Sequence, residues 1–161
     1  MIIVDITKAL RQTLLKNNAN PQELLDAFRE WKTAGELGED DFYEFGKDTA
    51  YITPKVNDEN YVLRHVHLVP LLDKNQLEQW NKNWQHRRLR TSDRALVYVQ
   101  DNQRFLLIDI LPEPFAHKIA QMKTPQDKQL MEIFAKIAEQ YMYHHEINEQ
   151  HFINNEPEID C

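Results

Sequence analysis

Cysteine is almost missing from this chain. The one thiol, Cys161, is the last residue, so no disulfide forms within the sequence. A reducing, cytoplasmic setting is therefore expected. Long apolar runs are missing too: stretches such as Phe105–Leu111 are far too short to cross a bilayer as a helix. Met1–Ile6 gives way at once to polar residues, so neither a signal peptide nor a membrane partner is expected. There is no internal repeat and no low-complexity tract. Finally, no Lys or Arg follows Lys136, whereas Glu139, Glu146, Glu149, Glu156, Glu158 and Asp160 all do.

What is present describes a folded protein. A hydrophobic content of 42%, with 10% aromatics, over 161 residues fits a domain with its own core and argues against global disorder. The net charge of −7 speaks against a generic nucleic-acid binder. Yet the charge is segregated. Between Lys74 and Arg104 there are seven bases against three acids. A basic middle calls for an anionic partner, and an acidic end is suited to mask it. The expected organisation is a domain over 1–140 and an acidic extension over 141–161 that folds back on the basic segment.

The organising stretch runs from Arg87 to Pro114. Two β-prone runs, Leu96–Val99 and Phe105–Leu111, flank the polar loop Gln100–Arg104, whose Asp101 and Asn102 favour a turn. The second run is nearly continuous in apolar residues, so both its faces should be buried, and Asp109 within it would need a partner. Tyr61–Val69 alternates, with His65 and His67 on one face and Val62, Val66 and Leu68 on the other. Met1–Ile6 reads as a first strand, and Lys8–Lys16 as its continuation or a helix. Asn20 with Pro21 starts a helix that carries Leu24, Leu25, Phe28 and Trp31 and stops at Gly35. Gly46 falls in an FGKD loop leading to a short strand at Tyr51–Thr53. Leu77, Trp80 and Trp84 are spaced for a helix, as is His117–Met122. Thr124 caps a longer helix with a stripe at Leu130, Ile133, Phe134, Ile137 and Tyr141. The expected fold class is α+β: a small antiparallel sheet of about four strands with N-terminal and C-terminal helices packed on one side of it.

This order of elements resembles compact bacterial toxins of the RelE/ParE type. It is more closely similar to their YafO branch, through HVHL at His65–Leu68, RTSD at Arg90–Asp93, LVY at Leu96–Tyr98 and LLIDILPEP at Leu106–Pro114 followed by His117 and Lys118. FGKD and the helix with Met131–Glu139 fit the same pattern, over roughly residues 1–140. The resemblance implies a type II toxin that cuts messenger RNA on the translating ribosome without a cofactor. It also implies neutralisation by a protein antitoxin, with either a homo-oligomer or a toxin–antitoxin hetero-oligomer as the assembly. Competing readings are a non-catalytic binder on the same scaffold and an inhibitor of a DNA-handling enzyme.

Metal-free RNA cleavage needs a base for the 2′-hydroxyl, an acid for the leaving oxygen and positive charge on the phosphate. Histidine suits the proton steps and arginine the phosphate. The expected catalytic residues are accordingly Arg90, His117, His67 and His65, with Asp93 orienting Arg90 or capping a turn. His65 and His67 are equally readable as structural histidines; as a His-x-His metal pair they lack a third ligand, so no metal is expected. Arg87, Arg88, Arg94, Tyr98 and Lys118 are the expected RNA contacts, Tyr98 by stacking on a base. Trp80 and Trp84 read as core, and His144 and His145 as surface.

Overall fold

In the computed structural model, which describes residues 1–150, Thr7 makes the first join between elements. It follows β1 (Ile3–Ile6) and caps α1 (Lys8–Lys16), its hydroxyl accepting the Leu10 N–H and donating to the Ile108 carbonyl. The ambiguous Lys8–Lys16 stretch is thus a helix. Asn20 caps α2 (Pro21–Ala34) by accepting from Gln22, and the helix stops at Gly35, whose φ of 69° a side chain would oppose. After a short 3-10 helix at Glu36–Asp41 come β2 (Phe45–Ala50), β3 (Arg64–Leu68) and α3 (Lys74–Gln85). The hairpin β4 (Ala95–Asp101) and β5 (Arg104–Leu111) turns at Asn102 and Gln103. It leads to α4 (Ala116–Ala120) and to α5 (Pro125–His144), which Thr124 caps through the Asp127 N–H.

The sheet has five strands in the order β1-β5-β4-β3-β2. β2 to β5 are antiparallel neighbours, while β1 pairs parallel with β5, so the sheet is mixed and one strand larger than the antiparallel one expected. Its helices lie on both faces rather than one. Leu96, Tyr98, Phe105 and Leu107 pack against α1 and α2; Val97, Val99, Leu106 and Ile108 pack against α4 and α5. The near-continuous apolar run of β5 leaves no alternative, because each face exposes hydrocarbon that needs its own cover. On the first face, Phe28 touches Trp31, Phe45, Tyr98 and Phe105 edge-on, with ring centroids 5.2–6.0 Å away. Burying each such ring contributes about 1.5–3 kcal/mol. Asp109, flagged as a buried acid in need of a partner, accepts the Ile110 N–H at 2.8 Å, and burial pushes its pKa up to about 6.

FGKD is not a loop: Phe45–Asp48 opens β2, and Tyr51–Thr53 lies outside any strand. The register breaks between Phe45 and Asp48, a bulge that pairs Phe45 with Leu68 and Asp48 with Val66. Gly46 is required there, since a Cβ would come 2.2 Å from the Arg90 carbonyl oxygen and 2.7 Å from Trp80. The α5 helix runs through position 140 to His144. Tyr141 then donates to Asp5 at 2.9 Å, and Glu149 accepts the Lys8 and Ala9 N–H groups at 2.9 Å each. The described part of the acidic extension therefore contacts β1 and α1, with Arg104 at its margin through Asp5. The expected folding of the extension over the basic segment falls, for 151–161, outside the described residues. Among the described residues no helix is long and apolar enough to cross a membrane.

Candidate functional site

Strand alternation in β3 sends Val66 and Leu68 into the α1/α2 core and turns His65 and His67 to the opposite face, as the sequence pattern requires. The turn from β5 into α4 brings His117 to them from fifty residues away. Ring centroids lie 5.6 Å apart for His65 and His67, and 5.5 Å for His67 and His117. Three of the four expected catalytic residues thus form one row.

The three rings differ in what they can do. His65 stacks on Tyr51 at 4.1 Å, and its Nε2 lies 3.3 Å from the Thr49 hydroxyl. Burial, reinforced by nearby His67, lowers its pKa to about 4, and its Nδ1 is buried without a partner among the described residues. It is a neutral ring at physiological pH, placed to support its neighbour. His67 is buried and has its Nδ1 2.8 Å from the Ser92 carbonyl oxygen. Desolvation lowers its pKa, against the opposing effect of that backbone bond. The same Nδ1 lies 2.9 Å from the Ser92 N–H, so Ser92 holds the ring in either tautomer; in the one that donates from Nδ1 to the carbonyl, the Nε2 lone pair is the proton acceptor. His117 is the open member, with 64% of its side chain exposed. Its Nδ1 and its backbone N–H both meet Asp93 Oδ1, at 2.8 and 2.9 Å. Asp93 thereby fixes the ring and anchors the start of α4 in one interaction, leaving Nε2 of His117 toward solvent. Glu113 steadies the same corner: its buried carboxylate accepts the N–H groups of Leu71 and Leu72 at 2.6 and 2.7 Å.

The fourth expected catalytic residue is elsewhere. Arg90 is 3% exposed. Its guanidinium donates to the carbonyls of Phe42 and Tyr43 at 2.7 and 2.8 Å and lies over the rings of Trp84 and Trp80, 4.8 and 5.4 Å from their centroids. With its fork filled by backbone, it is a structural anchor for the loop before β2 and not a phosphate ligand. Tyr98 is also corrected. It faces away from Val97 and Val99 as expected, but that direction is the core: the ring is fully buried and its hydroxyl is bound to Asp48, Lys32 and Arg64. No base can stack on it. Arg94 is half-buried and donates to the Val69 carbonyl. Arg87, Arg88 and Lys118 remain on the surface, Arg87 beside Asp41 and Lys118 beside Asp127.

Sequence reading missed Lys47 and the tie between Asp93 and the His117 ring. Lys47 and Thr49 alternate along β2, with Tyr51 just past its end, and Thr49 pairs with His65 in the ladder. The period was hidden because the glycine beside Lys47 reads as a loop. Asp93 was expected to orient Arg90 or cap a turn; it does not meet Arg90, but it accepts the His117 backbone N–H at the turn into α4 and holds the same residue's ring. Among the described residues no group of three or more His, Cys, Asp or Glu side chains is arranged to hold a metal ion.

The family model described as "Toxin YafO, type II toxin-antitoxin system" matches residues 29–143, a span that holds β2 to β5 and the whole histidine row. No curated protein and no solved structure matches.

Proposed function

The chain belongs to the YafO family of toxins of type II toxin–antitoxin systems, whose partner is a cognate antitoxin, and from that premise we propose that it is a ribosome-dependent endoribonuclease that cuts messenger RNA and so halts translation. One observation carries the chemistry: His67 and His117, from distant parts of the chain, stand 5.5 Å apart ring to ring, one buried and one open. Two imidazoles so placed supply a base and an acid on either side of a phosphodiester. His67, kept neutral by burial, takes the 2′-hydroxyl proton on Nε2. The freed oxygen attacks phosphorus, the bond from phosphorus to the 5′-oxygen breaks, and His117, carrying its proton with Asp93 behind it, passes that proton to the leaving oxygen. The products are a 2′,3′-cyclic phosphate and a 5′-hydroxyl. His65 orders the base and transfers nothing. Arg87, Arg88 and Lys118 supply the surface charge that draws the strand in, an effect that weakens with salt.

The test is expression of the wild-type chain and of His117→Ala in bacteria, followed by mapping of new RNA ends on ribosome-bound messages. Growth arrest with new 5′-hydroxyl ends for the wild type, and their loss in the variant, is the expected pattern. Arrest without new ends points instead to a non-catalytic binder and removes the nuclease reading.

A further inference from the structure

The histidine row lacks a committed positive charge for the phosphate, and the structure narrows the candidates. Arg90 is filled by carbonyls, Arg94 by Val69, and Lys32 and Arg64 by Asp48; Lys118 and Arg87 have acidic partners of their own. Lys47 makes no ion pair among the described residues. It is exposed, and it sits in the β2 bulge opposite the stretch of β3 that holds His67. Three constraints hold its backbone. Its N–H donates to the Arg90 carbonyl at 2.8 Å, Gly46 before it packs against that same carbonyl, and Asp48 after it is locked into the opposite face. Its charge acts on both His65 and His67, contributing to their lowered pKa values.

We propose that Lys47, held in the β2 bulge, is the residue that binds the scissile phosphate beside His67 and His117. The proposal rests on the RNA-cleavage reading for its substrate, but the anion site it describes is testable without cleavage. An ammonium presents a compact charge with three donors, which suits a phosphate that rearranges during attack better than a fixed planar fork would. Charge placed where negative charge develops is typically worth a hundredfold or more in rate. A bulge is also a place where a strand re-aims a side chain without losing the ladder on either side.

Two variants and three readouts test it. Inorganic phosphate titrated into the full chain should give saturable shifts of the His67 and His117 ring resonances. Those shifts should vanish in Lys47→Met and persist in Lys47→Arg. In the free protein Lys47→Met should also raise the titration midpoint of His67, and with it the acidic limb of kcat/KM, while Lys47→Arg leaves both in place. Cleavage should fall about 100-fold in kcat for Lys47→Met with little change in KM. A wild-type protein whose histidines ignore phosphate, a His67 midpoint that does not move, or a Met variant cutting within threefold of wild type would each overturn the proposal. If phosphate binds as described but no RNA is cut by the wild type, the anion site stands and the nuclease reading alone is lost.

Discussion

On the α2 side of strands β2 and β3, at the base of a cleft of about 540 Å³, Asp48 accepts from Tyr98 at 2.6 Å and Lys32 at 3.1 Å, with Arg64 at 3.4 Å. On the other side of the same two strands, Lys47, Thr49, His65 and His67 face His117 and Asp93. Both faces carry charge, but they differ in how it is met. The first cluster is closed: Asp48 is 5% exposed, and each cation that reaches it also reaches the Tyr98 hydroxyl. Lys32 shows the strain of that arrangement, because burial lowers its pKa even though Asp48 pulls the other way. The second cluster is left open, with an exposed lysine and an imidazole that has one nitrogen on Asp93 and one toward solvent. Charges that hold a protein together are used up by one another. Those that act on a ligand are held from behind and left unsatisfied in front.

The sharpest way to break this contrast is to open the closed side. Asp48→Ala leaves two partly buried cations and a buried phenol without their carboxylate, and should lower stability by about 2–4 kcal/mol in chemical denaturation. A loss under 1 kcal/mol would mean that this cluster is as hydrated as the other. Arg90→Ala belongs to the same class. It should lose about 2–3 kcal/mol through its charged bonds to carbonyls, so any loss of toxicity must be read together with the loss of fold. A variant that is stable yet inactive would return Arg90 to the site.

Acid tests two desolvated groups of opposite sign, His65 in the histidine row and Asp109 on β5. The His65 pKa falls from 6.5 to about 4 on folding, so the unfolded chain takes up its proton first and this contribution is lost as pH drops from 6.5 toward 4. Asp109 has the opposite sign. Its pKa rises from 3.8 to about 6, so it costs nothing below pH 3.8, and the cost grows as pH rises from 3.8 to 6 and is complete above that. Asp109→Asn should therefore gain on wild type between pH 4 and pH 7 by roughly 2–3 kcal/mol, at about 1.4 kcal/mol per pKa unit. Equal differences at the two pH values would show that Asp109 is solvated. The smallest expected effect is on the open side: His117→Ala should change stability by no more than about 0.5 kcal/mol while removing RNA cleavage.

Much of the fold was legible because local chemistry and periodicity agree with it. Asn20 and Thr124 cap helices as their side chains dictate, the β4–β5 hairpin turns where polar residues interrupt two apolar runs, and His65 and His67 share a face. What the sequence hid was depth. Tyr98 alternates correctly, but alternation does not tell whether the far face meets water or a second helical layer. Arg90 looked like a phosphate ligand because a guanidinium in a motif invites that reading; the two carbonyls and two indole rings around it come from Phe42, Tyr43, Trp80 and Trp84, in a loop and a helix that only the fold brings to it. The Asp93–His117 contact spans 24 residues, and only the β5–α4 turn closes it.

The parallel pairing of β1 with β5 has a consequence for assembly. Ile3 meets Arg104 across about a hundred residues, whereas β2, β3, β4 and β5 follow one another as nearest neighbours. Long-range closures are entropically slow relative to hairpins. The half that carries the histidines can thus zip up during synthesis, while the first strand to leave the ribosome waits for the last one before it finds its place.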